Sequence, residues 1–222
     1  SAGAPMGFIT EEDNFADYPF IVAPAYQLID QKLVGKWQKY VENGGNLILT
    51  CRTGQKDKNG HFFEANWSAP IVPLIGADLE FFDMLVTDVN GTIKAGDKTY
   101  QWNTWADVLK PKAGTEVLAT YEDQFYKGKA AAVTRKLGKG SITYVGVESI
   151  NGDFERQIVR TIYDRANVTI EDLPKGVFVE WRDGFYVGVN YTSEAINLPI
   201  PKGSKIVVGQ NPLQPAQAVI WK

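Results

Sequence analysis

The sequence predicts an α/β fold, a parallel sheet carrying helices, followed by a small antiparallel β domain. Three observations carry that reading. Residues 20–51 read as strand, helix and strand, the βαβ arrangement whose right-handed crossover makes a sheet parallel. Residues 129–163 add two strand-like runs joined through glycine and then an amphipathic helix. After Asn167 the helical spacing stops, and short strand-like runs alternate with Pro and Gly, the pattern of antiparallel β structure.

Taken in order, Phe8 to Thr10 is a short apolar start. Phe20-Ile21-Val22-Ala23 follows as an unbroken apolar run and is expected to be buried on both faces, with Pro24 ending it. Asp30 is placed to cap a helix in which Leu33, Val34, Trp37, Tyr40 and Val41 share one face and Lys32, Lys36, Gln38, Lys39 and Glu42 the other. Gly44-Gly45 stops it, and Asn46 to Cys51 forms a second buried strand running into the polar loop Arg52 to Gly60.

From Trp67 to Tyr126, short apolar segments broken by Gly, Pro and Asp predict a larger insertion with antiparallel pairing. A turn is expected at Ala95-Gly96-Asp97-Lys98, and Trp102 and Trp105 fall in a loop between strands. Lys129 to Leu137 and Ser141 to Val147 form a hairpin across Gly138-Lys139-Gly140. Asp153 then caps a helix packed through Phe154, Ile158, Val159, Ile162 and Tyr163. The domain boundary is expected between residues 166 and 167. Beyond it, Val177 to Arg182 and Phe185 to Tyr191 flank the hairpin signal Asp183-Gly184, and Ala195 to Leu198, Lys205 to Val208 and Ala218 to Trp221 complete a small sandwich or barrel at 167–222.

Composition narrows the function. With 44% hydrophobic and 12% aromatic residues in a chain of 222, a real core can be buried. The charges, 23 Lys plus Arg against 26 Asp plus Glu, form no basic cluster, so no nucleic acid partner is expected. No membrane partner is expected either, because no stretch approaches the roughly 18 consecutive apolar residues of a spanning helix. Ser1 to Met6 lacks the basic and apolar regions of a signal peptide. One cysteine, Cys51, excludes an internal disulfide framework; one histidine, His61, excludes a zinc site built from several His and Cys ligands, and no cofactor is expected. Asn66-Trp67-Ser68, Asn90-Gly91-Thr92, Asn167-Val168-Thr169 and Asn190-Tyr191-Thr192 match the glycosylation sequon, a pattern too short to carry weight.

Three chemistries are open to the side chains present. Cys51 stands at the carboxyl end of a parallel strand, where open α/β sheets place their sites, and Thr50-Cys51-Arg52-Thr53-Gly54 has the look of a nucleophile elbow. Against it, Leu49 occupies the position where such an elbow needs a small residue, and the one imidazole, His61, lies in a polar loop followed by Glu64. Carboxylate chemistry would draw on Glu80, Asp83, Glu122, Asp123, Glu148 or Asp153, whose spacing pairs none of them across a bond. Finally, Trp37, Trp67, Trp102, Trp105, Trp181 and Trp221 could stack on sugars or anchor an interface. Trp37 belongs to a core face, and Trp102 with Trp105 is the pair that core packing explains least.

These residues also carry a resemblance. Tyr18-Pro19-Phe20-Ile21-Val22-Ala23-Pro24-Ala25-Tyr26, then Tyr40-Val41-Glu42-Asn43-Gly44-Gly45-Asn46-Leu47-Ile48-Leu49-Thr50, then Arg52-Thr53-Gly54, and Gly138-Lys139-Gly140 with Tyr144-Val145-Gly146 follow one another as in the second domain of the β-galactosidases of glycoside hydrolase family 42. The chain resembles that domain over nearly its whole length. The resemblance implies a flavodoxin-like sheet of the class I glutamine amidotransferase type, used for trimerisation and not as an amidotransferase, with a small C-terminal β domain after it. It further implies that the galactosidase glutamates lie in a preceding (β/α)8 barrel, which needs at least about 200 residues of its own, so that no catalytic residue carries over to this sequence. The family's first strand and helix are expected to precede Ser1, leaving one central strand missing or borrowed. A free-standing amidotransferase-like or peptidase-like enzyme using Cys51 and a sugar-binding module are the alternatives.

Overall fold

The computed structural model describes residues 6–64 and 68–222. Trp67 and the Asn66 sequon lie outside the described residues. The described chain divides into two compact units, Glu11–Glu155 and a second made of Arg156–Lys222 with the residues before Glu11.

In the larger unit, β1 (Phe20–Ala23), α1 (Gln31–Glu42) and β2 (Asn46–Thr50) form the expected crossover, with β1 and β2 parallel from Phe20↔Asn46 to Ala23↔Leu49. Asp30 caps α1, its carboxylate accepting from Leu33 N at 2.7 Å. Leu33, Val34, Trp37, Tyr40 and Val41 are all buried, and at about 2 kcal/mol for each large apolar side chain removed from water this face holds α1 to the sheet. Val22 departs from expectation: it is half exposed, because it points to the face of β1 opposite the one on which Ile21 and Ala23 are buried.

A short helix, α2 (Val72–Ile75), leads into the antiparallel insertion: β3 (Ala77–Asp83), β4 (Gly91–Ala95), β5 (Lys98–Pro111) and β6 (Glu116–Tyr121). Trp102 and Trp105 are therefore not in a loop; both lie within β5, a strand of 14 residues that pairs with β4 and β3 and, from later in the chain, with Ala130 and with residues 147–149. A strand so long looks irregular in sequence because its burial changes with each partner. The hairpin β7 (Ala130–Leu137) and β8 (Gly140–Val145) turns at Gly138-Lys139, as expected, and β9 (Val147–Ser149) follows. The sheet order is β1-β2-β8-β7-β6-β4-β5-β3, parallel through β1, β2 and β8 and antiparallel beyond.

Helix α3 (Asp153–Arg165) begins with Asp153 in its first turn rather than at its cap. The capping acceptors stand earlier: Asn151 Oδ1 accepts from Asp153 N at 3.1 Å, and Ser149 Oγ from Phe154 N at 3.3 Å.

The smaller unit contains β10 (Val177–Arg182), β11 (Phe185–Asn190), β12 (Ile206–Val208) and β13 (Ala218–Trp221), in the order β10-β11-β13-β12, all antiparallel. Asp183 and Gly184 make the tight turn with φ of 48° and 87°. The described residues here form one four-stranded sheet; its core of Leu173, Val177, Leu198, Leu213, Val219 and Trp221 is completed by irregular chain. Ala195 to Leu198 contributes only the bridge Ile196↔Leu213. Asn190 is wholly buried, donating to Glu194 O and Leu213 O and accepting from Thr192 N. This sequon is spent on folding.

Candidate functional site

The carboxyl ends of the parallel strands converge where the sequence places its elbow. After β2 the chain passes through Cys51 and turns at Arg52, which takes a φ of 68°. The residue in the strained position is thus Arg52, not Cys51. The thiol is buried at the strand end, and burial, helped by the negative charges of Asp107 and Glu148, pushes it up to about 12. His61 stands on an exposed turn facing Asp57, 3.6 Å away. A thiol held protonated, with the imidazole on an exposed turn, is no nucleophile. Iodoacetamide at neutral pH is accordingly expected to label Cys51 in the native protein at least tenfold more slowly than in the urea-unfolded chain, as mass spectrometry would read; equal rates would restore the nucleophile.

What occupies this place instead is Asp107, a residue that sequence reasoning missed. It is wholly buried on β5 and accepts three hydrogen bonds: from Arg52 N at 3.0 Å and Tyr144 Oη at 2.6 Å on Oδ2, and from Trp105 Nε1 at 2.9 Å on Oδ1. Its backbone is fixed as well, since Asp107 N donates to Gly146 O at 2.7 Å and Asp107 O accepts from Tyr121 Oη at 3.0 Å. Burial raises its carboxyl above the ordinary range, opposed in part by the donors from Tyr144, Arg52 and Trp105. The signal was available: an aspartate inside the apolar run Trp105-Ala106-Asp107-Val108-Leu109 must be buried with partners.

Through Asp107 the elbow is tied to an aromatic stack. The Arg52 guanidinium lies over the Trp105 ring at 4.9 Å, and Phe82 stacks on Trp105 at 4.6 Å with the rings 2° from parallel. The structure separates the two tryptophans that the sequence puts together. Trp105 is half-buried in this stack, whereas Trp102 is wholly buried against Tyr121 and offers no surface.

The other sequence-named carboxylates are spread over separate structural roles. Glu80 pairs with Lys129 at 2.8 Å, Asp83 accepts from Tyr126 Oη at 2.7 Å, and Asp123 accepts from Thr92 N at 2.7 Å. Glu122 receives a long contact of 3.4 Å from Thr120, Asp153 pairs with Asn151, and Glu148 is exposed. Among the described residues, no two of these carboxylate groups accept from the same donor.

Two of the motifs quoted above, Tyr40 to Thr50 and Gly138-Lys139-Gly140, meet in one joint. Lys139 N donates to Glu42 O at 3.0 Å and Ser141 N to Gly45 O at 3.2 Å, so the end of α1 rests on the β7 to β8 turn. They carry architecture.

Comparison with known proteins agrees. A family model described as the β-galactosidase trimerisation domain matches residues 1–169. The chain is similar to the β-galactosidase BgaH of Haloferax lucentense, 30% identical over 94% of this chain and 31% of that protein. It is similar also to BglY of Alicyclobacillus acidocaldarius, 28% identical over 95% and 32%. It thus spans about a third of the length of these relatives. Among solved structures, the β-galactosidase of Halorubrum lacusprofundi superposes with a TM-score of 0.86 at 26% identity, over 96% of this chain and 32% of that one. Gan42B, a GH42 β-galactosidase, gives 0.83 at 22% over 99% and 34%, a likeness of fold.

Proposed function

Because this chain belongs to the β-galactosidase trimerisation domain family of glycoside hydrolase family 42, we propose that it serves assembly and not bond breaking, as an accessory segment of a β-galactosidase-like glycoside hydrolase. In this reading the whole enzyme acts on terminal β-galactosides bound in a catalytic barrel that these residues do not include, and three copies associate through the α/β part. Residues 1–166 form the assembly domain and 167–222 the C-terminal β domain, in keeping with the end of the family match at residue 169. Trp105 is the member of the Trp102 and Trp105 pair that serves the interface, since it alone reaches the surface.

The observation that carries this is the elbow. Where a nucleophile would sit, Arg52 lies on Trp105, and the neighbouring thiol is buried and held protonated. A site in that state positions an aromatic surface and has nothing to attack a carbonyl or an anomeric carbon with.

The purified 222-residue chain is expected to give no turnover of a chromogenic β-galactoside, while the natural-length protein hydrolyses it and sediments as a trimer. Turnover by the chain alone, retained through purification to homogeneity, would overturn the assignment.

A further inference from the structure

At the β3 end of the large sheet the surface is unusually apolar. Phe81, Phe82, Met84, Val86 and Phe125 are 36%, 43%, 57%, 71% and 82% exposed. Resting on the assembly reading above, we propose that this aromatic sheet end is the face by which one copy of the chain grips the next.

Size is the first argument. Taking about 200 Å² for each aromatic side chain, the three phenylalanines expose roughly 300 Å², and Met84, Val86 and Val89 bring the apolar surface to about 600 Å². That equals the upper end for the largest patch on an ordinary monomer, and it supplies most of the roughly 800 Å² per partner that a stable interface buries.

Preorganisation is the second. Phe81 stacks on Phe125 at 5.4 Å and meets the edge of Tyr126 at 5.9 Å, while the Tyr126 hydroxyl is held by Asp83. Phe82 is stacked on Trp105, which Asp107 fixes from below. Rings already locked in place lose little freedom when a partner covers them, which is what makes aromatic anchors dominate an interface.

Charge is the third. Each acidic residue of β3 has a partner within the chain: Asp78 pairs with Lys112 at 2.7 Å, Glu80 with Lys129 at 2.8 Å, and Asp83, which has no cation beside it, accepts from Tyr126 Oη at 2.7 Å. Covering this face with another protein surface therefore strands no lone carboxylate of the strand. A cyclic trimer uses heterologous contacts, so the sheet end meets a different face of the neighbouring copy.

The test is sedimentation velocity on the natural-length protein, comparing the parent with Phe82→Asp, Phe125→Asp and the double variant. Phe178→Asp, 43% exposed on β10 of the other unit, is the control. Circular dichroism reports folding in each. Either single variant is expected to weaken association at least tenfold, and the double variant to sediment as a folded monomer while the control stays trimeric. A double variant that remains trimeric overturns the choice of face. If it remains trimeric but melts lower and is cut faster by protease, the patch covers a segment of its own chain instead. A parent protein that is itself monomeric overturns the assembly reading and not merely the face.

Discussion

Replacing Asp107 with alanine is expected to lower the unfolding temperature by about 6–12 °C. The carboxylate satisfies three donors that are otherwise shut away from water: Arg52 N, Trp105 Nε1 and Tyr144 Oη. A buried donor left without a partner costs about 1–3 kcal/mol. Removing the carboxylate also returns the desolvation that raises its pKa, so the net loss is set at about 3 kcal/mol, and each kcal/mol moves the melting point of a chain this size by about 2–4 °C. Asp107→Asn separates charge from shape. It keeps one acceptor and should cost about 1 kcal/mol. The folded protein holds the Asp107 proton to higher pH than the unfolded chain, so ionisation penalises the folded state. The advantage of the parent over Asp107→Asn should therefore be largest at the acid end, below the ordinary carboxylate range, and shrink as pH rises through the raised value. Calorimetry of both proteins from about pH 3 to pH 8 reads the gap directly, and a gap that widens with pH would reverse the assigned sign.

Much of this architecture was legible because local rules and tertiary packing agree. In α1 the cap, the apolar face and the glycine stop all coincide, and the strand on either side is a plain apolar run. The hairpins at Gly138-Lys139 and Asp183-Gly184 were visible for the same reason. Long β5 was not. Its 14 residues change partners along their length, so its burial follows four neighbours, β3, β4, β7 and β9, and shows no single alternation. Trp102 and Trp105 therefore looked alike, although one is core and the other surface. At the elbow, residue type drew attention to Cys51, while the backbone assigned the turn to Arg52 and the chemistry to Asp107. The network there joins β2, β5 and β8, which lie up to 94 positions apart from Arg52 outward to Tyr144 and Gly146 by way of Asp107. No spacing rule spans such distances. Buried polar residues inside apolar runs are the better guide.

Gly140→Ala tests whether the shared motifs form a packed joint or merely a turn. A Cβ on Gly140 would stand 2.1 Å from Gly45 O and 2.4 Å from Val41 O. Both atoms are backbone, so no side chain can swing aside; the end of α1 must lift from the β7 to β8 turn, stretching the Lys139 to Glu42 and Ser141 to Gly45 hydrogen bonds. Overpacking of this kind together with two strained hydrogen bonds should cost about 4 kcal/mol, an exceptional value for one added methyl group. Gly96→Ala supplies the comparison. Gly96 sits in a hairpin turn, at a φ of 57°, but nothing stands within 4 Å of its would-be Cβ. There only the left-handed backbone is penalised, about 1–2 kcal/mol. Urea unfolding of the two variants should thus differ by roughly 2–3 kcal/mol. Equal losses would mean that turn conformation, and not the seating of α1 on the hairpin, is what the glycines of Gly138-Lys139-Gly140 preserve.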